Sequence, residues 1–176
     1  MFLPATQKKQ INGFTMIELM MATVVMLVGV VAVAELIPYS LRLNSANRYD
    51  STSLVIAQRE MDQFLGQPLS TSAFIDAQGN ACNLGNAAMP NTIAGNPVIF
   101  NANAPAIDFS DAQVPGYGFN SVDVNDPAGV AYDVRWAVVT YGAGGVAGAK
   151  RFIVGVRKRS GDTQLLPVVI DTIVAK

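Results

Sequence analysis

Hydrophobic positions divide this chain into three regimes. Residues 14–34 read FTMIELMMATVVMLVGVVAVA, apolar on every side of a helix, with Glu18 as the sole ionisable group. At about 1.5 Å per residue such a run spans roughly 32 Å, against a hydrocarbon core of about 30 Å. Glu35 and Pro38 interrupt the run, and Pro38 predicts a kink, since proline removes one helical hydrogen bond. Beyond it the pattern turns amphipathic. Leu54, Ala57, Met61, Phe64 and Leu65 recur at helical spacing, with Gln58, Arg59, Asp62 and Gln63 between them. Gly66 and Pro68 end the pattern. One long helix is predicted from about Phe14 to Leu65, its second half carrying a stripe that needs a cover.

From Gly66 to Ala131 periodicity fades into Asn, Gly, Ala, Pro and Asp. Asn96-Pro97, Pro115-Gly116 and Asp126-Pro127 mark turns, and 98–100 and 107–109 are short apolar runs, brief strands or anchors. The last third alternates with a period of two. Tyr132, Val134, Trp136 and Val138 oppose Asp133 and Arg135, 152–157 is a second strand, and GAGGVAGA between them reads as a flexible hairpin connection. Residues 168–174 form a third apolar run after Pro167. The fold class is α+β: a long N-terminal helix, with a membrane half and an amphipathic half, packed on a small C-terminal antiparallel sheet.

Composition narrows the function classes. Of 176 residues, 51% are hydrophobic and only 14% charged, which excludes global disorder. Twelve Lys+Arg stand against thirteen Asp+Glu, and no histidine is present. A dedicated nucleic-acid binder and imidazole-based catalysis or zinc binding are disfavoured. Cys82 is the single cysteine, so no internal disulfide forms. Asp108, Asp111, Asp123 and Asp126 lack the ligand spacing of a calcium loop and read as solvated turn residues, so no metal and no cofactor is expected. Trp136 reads as core, with ligand stacking the lesser alternative. Arg157-Lys158-Arg159 reads first as a solvated strand end and second as a DNA-contacting patch. No nucleophile–base pair or phosphate loop points to an enzyme.

Three functions compete for the N-terminal segment: an uncleaved anchor, a secretory signal peptide cut after Ala32-Val33-Ala34, or a processed assembly leader. Lys8 and Lys9 precede the apolar run and predict a cytoplasmic N-terminus, with everything after the helix on the other side. A carboxylate at the edge of a membrane helix costs about 1–3 kcal/mol and calls for a partner.

The order Gly13-Phe14-Thr15-Met16-Ile17-Glu18-Leu19 resembles the processing site of type IV prepilins and type II secretion pseudopilins. In those, a short basic leader ends in Gly, an aromatic or Met follows, and an acid is the fifth mature residue. The resemblance implies cleavage between Gly13 and Phe14 by prepilin peptidase and N-methylation of Phe14. It also implies pairing of Glu18 with the Phe14 amine of a neighbouring subunit during assembly. The alternative for Glu18 is that it faces the positive end of its own helix.

Residues 54–61, the Tyr-x-Val-x-Trp order at 132–136 and the 151–156 strand resemble PilV-type minor pilins and I-type minor pseudopilins. The basic end of that second strand and the lack of a disulfide depart from the pattern. The implied organisation is a leader (1–13), a transmembrane and filament-core helix (14–37) and the amphipathic half-helix (38–66). An exported globular region (67–176) follows, with a loop-rich middle (67–131) and C-terminal strands (132–176).

The implied role is a minor pilin, a structural subunit acting in filament initiation, assembly or adhesion. The alternatives are a minor pseudopilin and a tethered or secreted binding domain outside any filament. Implied partners are the peptidase, other pilins, the inner-membrane assembly platform and, before assembly, lipid.

Overall fold

A computed structural model describes residues 13–101, 104–123, 129–159 and 166–175. The leader through residue 12, with Lys8 and Lys9, and the Asp126-Pro127 turn lie outside the described residues. The chain forms two compact units, one ending at Ser45 and one beginning at Ala46.

Helix α1 runs Met16–Leu65 and continues unbroken through Pro38. In the first unit every residue from 16 to 45 is exposed. The helix contains an apolar stretch long enough to cross a membrane, with a mean hydropathy of 2.4 and none of it buried.

In the second unit the end of α1 packs on antiparallel strands. These are β1 (Ala73–Ile75), β2 (Ala81–Asn83), β3 (Thr92–Gly95), β4 (Val98–Asn101), β5 (Ala104–Ile107), β6 (Gly118–Val122), β7 (Ala131–Ala143), β8 (Val146–Lys158) and β9 (Val168–Ala175). The main sheet runs β3-β7-β8-β9, with β6 also on β7. Because β8 occupies one side of β7, β3 and β6 lie end to end along the other, opposite 137–140 and 131–135. β1–β2 and β4–β5 are separate hairpins.

The helix face is set by Ser53, Ile56, Ala57, Glu60, Met61 and Phe64, all buried. Ala57, Met61 and Phe64 lie on it as the pattern predicts. Leu54 does not: it is 39% exposed, and Ile56 takes the stripe instead. Phe64 sits 5.2 Å from Trp136, 5.7 Å from Phe152 and 6.0 Å from Phe74, centroid to centroid. Trp136 is fully buried and donates its indole N–H to the Asn83 carbonyl at 2.9 Å, so it is a core residue.

The sheet is also covered on its other face. Ile107 and Phe109 pack against Ala137 and Ile153. Gly155 permits this, since a Cβ there would stand 3.0 Å from Ile107 and 3.1 Å from Phe109. Asp133 and Arg135 are therefore buried rather than solvated. Arg135 Nε donates to Asp133 Oδ1 at 3.0 Å, its Nη2 to Oδ2 at 2.8 Å, and its Nη1 to the Asp111 carbonyl at 2.7 Å. A buried charge is tolerable only with such complete pairing.

The GAGGVAGA connection is tighter than its composition suggests. β7 and β8 are 13 residues each, and only Gly144 and Gly145 form the turn, at φ +62° and +76°. Two successive positive φ values give a hairpin whose twist matches the strands.

Candidate functional site

The N-terminal site begins as extended chain and becomes a helix at Met16. Thr15 is the cap. Its carbonyl accepts the Leu19 N–H at 3.1 Å, and its hydroxyl accepts the Glu18 N–H at 3.3 Å. Glu18 reaches back: its Oε2 accepts the Thr15 backbone N–H and hydroxyl, each at 3.2 Å. This is a reciprocal capping box, the T-x-x-E signature that satisfies donors at a helix start. The helix thus starts two residues later than the hydropathy pattern predicts. Glu18 thus has hydrogen-bond partners within its own chain.

Gly13 and Phe14 have no such local reason. A Cβ added at Gly13 would meet nothing within 4 Å, and its φ is not among the positive values. Phe14 is 84% exposed. The fold does not demand a glycine or an aromatic there. Elsewhere it does: at Gly95 (φ +109°) a Cβ would stand 2.5 Å from the Trp136 carbonyl oxygen.

Several of the other candidates make structural contacts. Cys82 is buried, and burial, with Asp76 and Glu60 nearby, pushes its thiol up to about 12, so it is not a thiolate at neutral pH. Among the described residues no group of three or more metal-ligating side chains exists. Asp108 caps its own turn, accepting the Ser110 N–H at 2.8 Å, and that bond holds its carboxyl below the usual range. Within the basic cluster, Arg157 lies 4.7 Å from the centre of the Phe109 ring and 3.6 Å from Asp133, and Lys158 lies 3.5 Å from that of Tyr49. Two of its three cations are thus engaged in packing the domain.

Besides Asp133 and Arg135, sequence reasoning missed the buried charges Glu60, Asp76 and Lys150. Glu60 is fully buried on the helix stripe. Arg59 Nε donates to its Oε1 at 2.9 Å and Gln63 Nε2 to its Oε2 at 3.4 Å. Loss of water pushes its carboxyl above the usual range, Arg59 pulls it back, and Asp76 adds to the rise. Lys150 is 1% exposed, donates to the Thr71 carbonyl at 2.7 Å, and is lowered by burial. The spacing 53, 56, 57, 60, 61, 64 was the available signal for Glu60; its charge hid it.

Comparison with known proteins bears on the first site alone. The family model described as the prokaryotic N-terminal methylation motif matches residues 8–34. No curated protein and no solved structure matches the chain. The motif marks a substrate of prepilin peptidase and implies assembly with other pilins, and the apolar helix that carries it fits membrane anchoring. The chain thus carries the N-terminal methylation motif of type IV pilin and pseudopilin precursors, and that motif leads into a long apolar helix whose end packs on an antiparallel sheet.

Proposed function

We propose that the chain is a minor pilin, a structural subunit that is cut between Gly13 and Phe14, methylated on the Phe14 amine and assembled from the inner membrane into a type IV pilus. The observation that supports this most directly is the site itself. A glycine and an aromatic that the fold does not need precede an acid and an exposed apolar helix. In this reading the leader stays cytoplasmic and residues 14–37 span the membrane. The domain from about 38 onward lies on the periplasmic side and then on the filament surface. The assembly platform moves the helix from lipid into the filament core, where other apolar helices replace acyl chains.

Cleavage also changes the electrostatics of the capping box. The new ammonium at Phe14 lies next to Thr15 and at the positive end of the helix, where a cation is disfavoured. Glu18 offers the compensating charge, within its own chain or to a neighbour. At about 4 Å and an effective dielectric of 20, the attraction is roughly 4 kcal/mol before desolvation.

Intact-mass measurement of the native protein tests the reading. A mature chain starting at methylated Phe14 is expected, and a start at Glu35 would identify a secretory signal instead. Gly13→Leu should retain the leader while leaving the fold beyond Leu65 unchanged. Glu18→Gln should be processed normally yet enter sheared filaments on the order of tenfold less. Incorporation at the wild-type level would remove the intersubunit pair from the mechanism.

A further inference from the structure

A peptide bond is cut only where its carbonyl is free. Water adds across the bond, its oxygen to the carbonyl carbon and a proton to the leaving nitrogen, while the enzyme's own donors hold the carbonyl oxygen as charge develops on it. Inside a helix that oxygen is already taken by the N–H four residues on. A bond at the edge of a long apolar helix is therefore open to a peptidase only if the helix stops short of it.

Helix α1 begins at Met16 and leaves Gly13, Phe14 and Thr15 outside it, all exposed. Extending it toward the N-terminus would place the Ile17 N–H on the Gly13 carbonyl and the Glu18 N–H on the Phe14 carbonyl. Neither bond is present among the described residues. The Glu18 N–H is held instead by the Thr15 hydroxyl at 3.3 Å, and the Thr15 N–H by Glu18 Oε2 at 3.2 Å. The Thr15 side chain thus competes with the Phe14 carbonyl for one donor and takes it, which leaves the Gly13 carbonyl without a helical partner. Hydropathy gives no reason to stop there, because the apolar run already begins at Phe14. The stop is made by a hydroxyl, and the motif that matches residues 8–34 spans it.

We infer that Thr15 is a positioning residue for leader removal: as the helix cap it holds the Gly13–Phe14 bond in extended chain, where a peptidase reaches its carbonyl. This role rests on the cleavage proposed above and adds to it a determinant that lies outside the bond itself. Glu18 is the reciprocal half of the cap, and Glu or Gln serves equally there. Removing a cap shifts the ratio of extended to helical chain by about fivefold. Only the extended fraction binds, so apparent affinity falls with that fraction while the chemistry of the bound chain is unchanged. The role holds for either kind of filament.

Cleavage of the full chain by prepilin peptidase in detergent micelles, with the product read by mass, tests this role. Thr15→Val keeps the shape of the side chain and removes the hydroxyl, and its KM should rise about two- to fivefold with kcat unchanged. Thr15→Ser and Thr15→Asn differ in shape but cap as well as threonine, so both should be cut like the wild type. Without any peptidase, the resonance of the Gly13 carbonyl carbon should move toward the helical range in Thr15→Val alone. Three results overturn the proposal. One is a wild-type KM for Thr15→Val. Another is Thr15→Asn cut no better than Thr15→Val, which would mean that the peptidase reads the hydroxyl itself. The third is a Gly13 resonance that Thr15→Val leaves unmoved. A wild-type chain that is itself left uncut would instead remove the proposed processing, and the role of Thr15 with it.

Discussion

Phe64 is the side chain through which the amphipathic end of α1 meets the sheet, and truncating it gives a direct measure of that packing. It is 1% exposed and touches three other rings, from the β1 strand, β7 and β8. Phe→Ala in a core costs about 3–5 kcal/mol, and each lost aromatic pair accounts for roughly 0.5–1.5 kcal/mol of such a loss beyond area alone. Phe64→Ala is expected near the upper half, about 4 kcal/mol, because rings flank the site on three strands and cannot collapse into the gap together. For a domain of this size that is a drop of about 10–16 °C in Tm. Trp136, the only tryptophan in the chain, lies 5.2 Å from the ring and reports unfolding by its emission. Urea titration of wild type, Phe64→Leu and Phe64→Ala should give progressively lower midpoints at constant slope. A loss below about 1 kcal/mol for Phe64→Ala would refute the docking of this helix face on the sheet.

Other groups give shorter tests. Cys82 should resist a thiol reagent in the native protein at pH 8 and react at once in denaturant, since its thiol is buried and pushed up to about 12; fast native labelling would contradict its burial. Glu60 is held above its ordinary 4.5, so the fold favours the protonated form. That contribution is complete below the unfolded value and is lost as pH rises through the folded one, so Glu60→Gln should flatten the decline in stability as pH rises above about 4.5. Gly95→Ala should destabilise by more than about 1 kcal/mol in urea titration, because the new Cβ meets the Trp136 carbonyl at a φ that alanine resists.

How much of this was legible depended on whether a residue's surroundings repeat along the sequence. The long helix was readable because its apolar run and its stripe are periodic, and the β7 strand because Tyr132, Val134, Trp136 and Val138 alternate. The stripe was misphased at Leu54 because Ser53, small and polar, occupies the buried position beside it. β3 and β6 were not legible: four and five residues that include Gly95, Gly118 and Asn120, which are poor strand formers, take their structure from pairing with β7. The same holds for β8, which begins at Val146, six residues before its apolar run, because β7 templates the Gly/Ala stretch. Nor was the burial of Asp133 and Arg135 visible, since it requires the 104–111 segment to fold over a face that alternation alone assigns to solvent.

The N-terminal site inverts that relation, and this is why it carries the functional argument. Where the fold needs a residue, the structure explains it: Thr15 caps, Gly95 avoids a carbonyl, Gly155 admits Phe109. Gly13 and Phe14 receive no such account, yet they stand at fixed distances from an acid in a motif matched over 8–34. Glu18 lies between the two cases. Its contacts to Thr15 explain an acid at the third helical position as local chemistry, available to any capped helix. Capping alone, however, is served as well by Gln as by Glu, because both present an acceptor oxygen to the Thr15 N–H. The positive helix end favours Glu over Gln by at most about 1 kcal/mol, in the uncut and the mature chain alike, whereas the Phe14 ammonium adds a full positive charge only when the bond to Gly13 is broken. The comparison of Glu18→Gln in the uncut and the mature chain therefore separates the two roles. Equal helix content and processing for both residues, with unequal filament entry, assigns the carboxylate's charge to assembly and its geometry to the cap.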